Sequence, residues 1–190
     1  PAQCGITDEE NALFYPWYTQ YSWDNSFNPD YPRVAGIWAT AYQEKTGQSV
    51  DGVISITPTM VQDLLAATGD SFTLSDGTAI DGTNATKVLQ HDLYWKYFSS
   101  GSSTSESNDV CDALVAEAAE YAFDSALDNM NASSLMKLVS TMMGGLDDRR
   151  IMIWLANASE QSHIENMGYS GSMTAASKQQ PTLGVFVNFW

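Results

Sequence analysis

The alternation of apolar and polar positions is sharpest between Val50 and Phe98, where strand, helix, hairpin and helix follow one another with their boundaries marked. Val50-Asp51-Gly52-Val53-Ile54-Ser55-Ile56 is rich in β-branched residues and reads as a buried strand. Thr57 is a capping residue and Pro58 takes a first-turn position, where proline sacrifices no hydrogen bond, so a helix is predicted from there to Thr68, closed by Gly69. On it Met60, Val61, Leu64 and Leu65 recur at three- and four-residue spacing and form one apolar face directed at a sheet. Phe72-Thr73-Leu74 and Thr78-Ala79-Ile80 flank Ser75-Asp76-Gly77, a hairpin pattern whose Asp-Gly supplies the tight turn. A second helix is predicted from Asn84 to Phe98, with Val88, His91, Trp95 and Phe98 along one side. Caps, turns and periodicities agree with one another through the whole stretch.

Outside it the pattern is less regular. Residues 1–30 carry Phe14, Tyr15, Trp17, Tyr18, Tyr21, Trp23 and Phe27 without a period and read as an irregular aromatic covering segment that extends to Tyr31. Asp30-Tyr31-Pro32 opens a helix that Val34, Ile37, Trp38, Ala41 and Tyr42 continue to Gly47. Residues 99–108 are polar and low in complexity, and a mobile loop is expected there. A helix from about Asp109 to Asp128 points Val110, Leu114, Ala118, Tyr121 and Ala122 inward. Another starts at Ser133 or Ser134, packs through Leu135, Leu138, Val139 and Met142, and ends at Gly144-Gly145. Arg150 to Leu155 reads as a strand inside the sheet, because it is continuously apolar after its arginine. Asn157 and Glu160 have capping-box spacing for a short helix to about Met167. Leu183 to Trp190 reads as a final strand without a cap or polar tail, so the chain is expected to be a piece of a longer one. Alternating strands and helices predict an α/β or α+β fold with helices packed on a central mixed β-sheet, and 190 residues without a linker predict a single domain.

Composition narrows the partners. A formal net charge of −15 argues against nucleic acid and anionic membrane surfaces. No stretch of this chain reaches the length of a membrane span. Cys4 and Cys111, in an acidic chain rich in Ser, Thr, Asn, Tyr and Trp, fit an exported protein with one disulfide; two free thiols are the alternative.

A series of short motifs carries a family resemblance: Trp23-Asp24, Asn28-Pro29-Asp30-Tyr31-Pro32-Arg33-Val34-Ala35, Val50-Asp51-Gly52-Val53-Ile54, and Leu64-Leu65-Ala66-Ala67-Thr68-Gly69. Asp76-Gly77-Thr78, Asn84, Tyr94, the strand ending at Leu155 and Met167-Gly168-Tyr169-Ser170-Gly171 continue it. Over roughly residues 20–190 the sequence resembles the bacterial family called domain of unknown function 4012, common on the outside of actinobacterial cells. The resemblance implies an extracellular, cell-envelope location, a membrane anchor in a flank outside this chain, and no established reaction. A more distant likeness, carried by Val53 to Gly77 and the helix that follows, is to the LytR-CpsA-Psr proteins, which transfer glycopolymers from polyprenyl-pyrophosphate carriers. It implies a similar sandwich fold. Where those enzymes are arginine-rich, residues 99–108 hold no Arg or Lys, and pyrophosphate needs multivalent cations or a metal.

Candidate chemistry is sparse. Arg33, Arg149 and Arg150 are the only arginines and form a candidate anion site, weighed against simple pairing with Asp30, Asp147 and Asp148. Asp24 and Asp30, with Asp51, are candidate ligands for a divalent cation, weighed against capping and turn roles. His91 and His163 lack metal-ligand spacing and read as structural. No Gly-x-Ser-x-Gly elbow or phosphate-binding Gly-rich loop occurs. The expectation is a surface module with no cofactor that binds cell-wall glycan or protein. The alternatives are a glycopolymer phosphotransferase using Mg2+, and a self-assembling subunit that adds its Val185 to Trp190 strand to a partner sheet.

Overall fold

The structure is a computed structural model and describes residues 4–14, 18–99, 104–128 and 132–173. Contacts divide it into two compact units, residues 1–55 with 152–190, and residues 56–151. The class is α+β, as the alternation of strands and helices predicts.

In the first unit the segment expected to be irregular contains helix α1 (Asp8–Phe14) and a 3-10 turn, Trp23–Phe27. The helix starts with a reciprocal capping box: the Thr7 N–H donates to Glu10 Oε2 at 2.9 Å, and the Glu10 N–H donates to Thr7 Oγ1 at 3.2 Å. Of the aromatic run, Tyr18 and Tyr31 are buried and Tyr21 and Phe27 exposed, while Tyr15 and Trp17 lie outside the described residues. Helix α2 (Tyr31–Thr46) has proline in its first turn and ends at Gly47 in the left-handed region, φ 75°. Val34 and Ile37 are buried, the half-buried Trp38 donates Nε1–H to Ser22 O at 2.9 Å, and Tyr42 faces solvent. Strand β1 (Gly52–Ile56) pairs antiparallel with β4 (Ile151–Leu155), with Ala156 N–H to Asp51 O at 2.8 Å at one end of the ladder and Thr57 N–H to Arg150 O at 3.0 Å at the other. The Tyr31 hydroxyl donates to Val53 O at 3.1 Å and ties α2 to this pair. Helix α8 (Ala158–Asn166) starts at Asn157, whose side chain accepts from the N–H groups of Ser159 and Glu160.

The second unit begins at helix α3 (Pro58–Thr68). Thr57 Oγ1 accepts from Met60 N–H at 3.3 Å and Gly69 closes the helix at φ 80°. Met60, Val61, Leu64 and Leu65 are all at most 2 % exposed. Each fully buried side chain of this size contributes roughly 1.5–3 kcal/mol. Helix α3 packs chiefly against helices α6 (Thr104–Asp128) and α7 (Ala132–Asp147), where packing on a sheet was expected. Strands β2 (Ser71–Thr73) and β3 (Ala79–Asp81) form the expected hairpin, with Ser71 opposite Asp81 and the turn made by Leu74 and Gly77. Among the described residues the strands therefore form two separate two-stranded sheets, not one central mixed sheet. The strand expected over Leu183 to Trp190 lies outside the described residues.

Four further expectations are corrected in this unit. Helix α6 begins at Thr104, inside the stretch expected to be a loop, because Ser107 is buried and its hydroxyl donates to Tyr97 O at 3.1 Å; residues 100–103 lie outside the described residues. Its inward face holds Cys111, Leu114, Ala118 and Ala122, whereas Val110 and Tyr121 are over a third exposed. Helix α7 does not end at Gly144-Gly145 but continues to Asp147, where Arg149 takes the left-handed conformation at φ 58°. A Cβ on Gly145 would lie 2.6 Å from Met60 Sδ and 3.0 Å from Ile151 Cδ1, so that glycine serves close helix packing instead of termination. Of the predicted packing residues of α7 only Leu138 is buried, while Leu135 and Val139 are 42 % and 49 % exposed.

The expected disulfide is also absent: Cys4 and Cys111 are both free. Cys4 Sγ donates to Glu44 Oε2 at 3.6 Å, and burial together with that carboxylate pushes the thiol's pKa up. Cys111 is fully buried on the core face of α6, where it acts as a small apolar side chain, and burial raises its pKa as well.

Candidate functional site

The most distinctive surface lies on the helix predicted from Asn84 to Phe98. It is continuous but not regular: α4 (Ala85–Lys87) passes into a π-helical turn, Val88–Asp92, and then into α5 (Leu93–Phe98). Leu93 N–H donates to Val88 O, one residue beyond α-helical reach. Such wide turns concentrate at functional sites. Ala85, Val88, Leu89 and Leu93 are buried and fix the core side. The other side, with His91, Trp95 and Phe98, faces solvent instead of the core, and only Val88 of the four residues expected along one side is buried.

The exposed side is an ordered aromatic surface. The rings of His91 and Trp95 are parallel within 3° at 6.3 Å, and Tyr94 and Phe98 stack at 5.7 Å. Trp95 is 71 % exposed. With Gln90 and Ser99 these four rings line a shallow cavity of about 400 Å³. An exposed ring cluster of this kind marks an interaction surface, since isolated surface apolar residues are ordinary but contiguous ones are not.

Charged and polar contacts flank these rings. Lys87 Nζ lies 2.5 Å from Asp92 Oδ2, and His91 Nδ1 is 2.8 Å from Asp92 Oδ1. At the other end Asp76, in the hairpin turn, accepts from Lys96 Nζ, the Tyr97 hydroxyl and Thr78 N–H, each at 2.8 Å. Burial pushes the Asp76 carboxyl up, but these hydrogen bonds outweigh it and hold the pKa well below the usual carboxylate range. Asp76 therefore fastens α5 to the hairpin, a role its Asp-Gly turn signal did not reveal. Asp112 on α6 stands close enough to Tyr94 that burial and then its charge raise the phenol's pKa.

A second cavity of about 390 Å³ lies along α3 and α7, lined by Asp63, Lys137, Ser140, Thr141, Gly144 and Arg150 among others. Its cations are engaged. Arg150 pairs with Asp63 and, at 3.0 Å, with Asp148, and Lys137 Nζ donates to Ala66 O at 2.8 Å.

The sequence-derived candidates fall as follows. Arg33, in the first unit, forks onto Glu10 with Nε and Nη2 each 2.6 Å from a carboxylate oxygen, and Nη2 also donates to Gly5 O at 2.6 Å. That bond lowers the Glu10 pKa. Glu10 is thus a partner of Arg33 that the nearest sequence neighbours do not reveal, although the Thr7 to Glu10 capping signature places it on a helix. Arg149 and Arg150 belong to the second unit, with Arg149 exposed at the end of α7. Asp24 is 9 % exposed, with its pKa raised by burial, and Asp30 Oδ1 accepts from Met173 N–H at 3.0 Å. Among the described residues no three His, Cys, Asp or Glu side chains stand together as a metal site. Among the same residues no helix is long and apolar enough to cross a membrane.

The aromatic surface was the missed feature, and a signal for it exists. Leu89 and Leu93, four apart, define a core stripe from which His91, Trp95 and Phe98 are turned away.

No curated protein and no solved structure matches the chain. Residues 1–94 match the family described as Protein of unknown function (DUF4012), a span that takes in the Trp23-Asp24, Asp30 to Ala35, Val50 to Ile54 and Leu64 to Gly69 motifs and ends at Tyr94 on the aromatic helix. Through those residues, 94 of the chain's 190, the protein matches that family.

Proposed function

We propose that this protein is an extracellular binding module of the bacterial cell envelope, and that the aromatic face of the Ala85–Phe98 helix is its ligand surface. The observation that carries the reading is the pairing of His91 with Trp95 and Tyr94 with Phe98 on a solvent-facing side, held in place by Asp76 and Asp92. Rigid, exposed rings bury large area on binding at low entropic cost. The envelope location rests on the family resemblance. The test is co-sedimentation of purified protein with envelope preparations from the organism that makes it. Wild-type protein is expected in the pellet and the Trp95→Ala, Phe98→Ala double variant in the supernatant, with unchanged melting temperatures; equal pelleting of both overturns the reading.

The glycopolymer-transferase alternative has one feature in its favour, the polar cavity with Lys137, Arg150, Ser140 and Thr141. Arg150 already carries two carboxylates there, which leaves little positive potential for a pyrophosphate. Titration with magnesium pyrophosphate, followed through the Arg150 and Lys137 side-chain resonances, decides the matter. Saturable shifts would revive the enzyme; none would remove it. The self-assembly alternative depends on residues 185–190, outside the described residues.

A further inference from the structure

The aromatic face is set in an acidic unit. Residues 56–151 contain five Lys and Arg against fourteen Asp and Glu, a difference of 5 − 14 = −9. Both lysines of the aromatic helix are neutralised, Lys87 by Asp92 and Lys96 by Asp76. Helix α6 packs against α5 and carries Asp109 and Asp112, both exposed and without an ion-pair partner among the described residues. They stand three residues apart on one helix face, where like charges repel. Burial and then the Asp109 charge raise the Asp112 pKa, so this carboxylate lacks a counter-charge.

We infer that the aromatic face with its Asp109 and Asp112 edge docks a basic peptide segment of a partner protein, an extended stretch bearing Arg or Lys. This rests on the binding-module reading above and names its partner. Ring faces attract guanidinium and ammonium groups, Trp most strongly, and Arg also stacks flat on them. The pairs His91 with Trp95 and Tyr94 with Phe98 offer two such platforms one helical turn long, and Asp112, with Asp109 one turn away on the same helix face, supplies the counter-charge beside Tyr94. The same field disfavours other occupants. A phosphorylated or acidic ligand meets Asp109 and Asp112 with no free cation on the helix, and a second copy of the chain apposes one acidic edge to another.

The experiment is an NMR titration of the whole chain at low ionic strength, read at the Trp95 indole N–H, which Trp95→Phe assigns, and at the amides of residues 91–98. Three probes are used: a twelve-residue peptide repeating Gly-Arg-Ser-Lys, the same peptide with Gln at every basic position, and a chitin tetrasaccharide. The basic peptide is expected to shift these signals saturably. Its affinity falls several-fold in Asp109→Asn, Asp112→Asn, falls about tenfold or more in Trp95→Ala, and weakens steeply with added salt. Equal binding of the Gln peptide overturns the charge-based inference. Response to the saccharide alone also overturns it while leaving the binding-module reading standing. Silence toward all three probes overturns both. The Asp→Asn variant keeps the aromatic face intact, so retained melting temperature separates lost attraction from lost fold.

Discussion

Helix α3 and the helix from Ala85 to Phe98 both show apolar residues at three- and four-residue spacing, yet they use them in opposite ways. In α3 the periodic residues Met60, Val61, Leu64 and Leu65 are sealed against α6 and α7. In the later helix the residues that line up as His91, Trp95 and Phe98 are open, and the quieter pair Leu89 and Leu93 goes inside. Helix α7 repeats the lesson, since Leu135 and Val139 share a face that nothing among the described residues fully covers. Spacing tells which residues share a face. Whether that face is covered depends on which elements lie opposite.

The sharpest break of this comparison is truncation on each helix. Leu64→Ala should lower unfolding free energy by about 2–5 kcal/mol, because a fully buried leucine leaves a cavity. Trp95→Ala, although it removes a larger side chain, should stay within about 0.5 kcal/mol of wild type. Urea unfolding of the two variants checks this; a loss at Trp95 comparable with that at Leu64 would mean that the aromatic face is core.

The adjacent glycines of α7 give the next largest contrast. Gly145→Ala is expected to destabilise by about 1–3 kcal/mol, since its Cβ would sit against Met60 and Ile151. Gly144→Ala meets only Arg150 Nη2, at 3.8 Å, and should stabilise by roughly 0.5–1 kcal/mol through helix propensity. Thermal melts of the two variants should therefore move in opposite directions. A shift of the same sign in both would show that the glycines share a role.

Asp76→Asn sharpens the same theme, because it acts on what holds the aromatic helix and not on its core side. A loss of about 1–2 kcal/mol is expected at neutral pH, as the amide puts N–H groups against Lys96 and Tyr97. The folded-state pKa of Asp76 is depressed, so its contribution is fully present above the unfolded value near 4 and is lost as pH falls through the folded value. The stability gap between wild type and Asp76→Asn should consequently close on acidification below about pH 4. A gap that stays constant down to pH 2 would show that Asp76 is not the titrating group. The smallest expected effect is at the start of α3, where Thr57→Ala should cost about 1 kcal/mol by removing the cap on Met60 N–H.

Much of this fold was legible from local chemistry. Thr57-Pro58, Gly69, Asp76-Gly77 and Asn157 bound their elements as expected, because a cap or tight turn is specified by the residues that make it. Thr7 to Glu10 was equally legible and was obscured by the surrounding aromatic residues. The site was less legible. Arg33 and Glu10 are 23 residues apart in sequence and meet as a forked pair, and the packing role of Gly145 is visible only once Met60 and Ile151 surround it.

The sequence by itself determined where the backbone turns and which side chains share a face, since both are set within about five residues by dihedral preference and helical period. Tertiary structure alone decided that both cysteines are free, that the strands pair in two small sheets among the described residues, and that the rings from His91 to Phe98 remain in solvent. Those outcomes depend on which distant elements close over which face, and burial is a property of that closure rather than of any local stretch of chain.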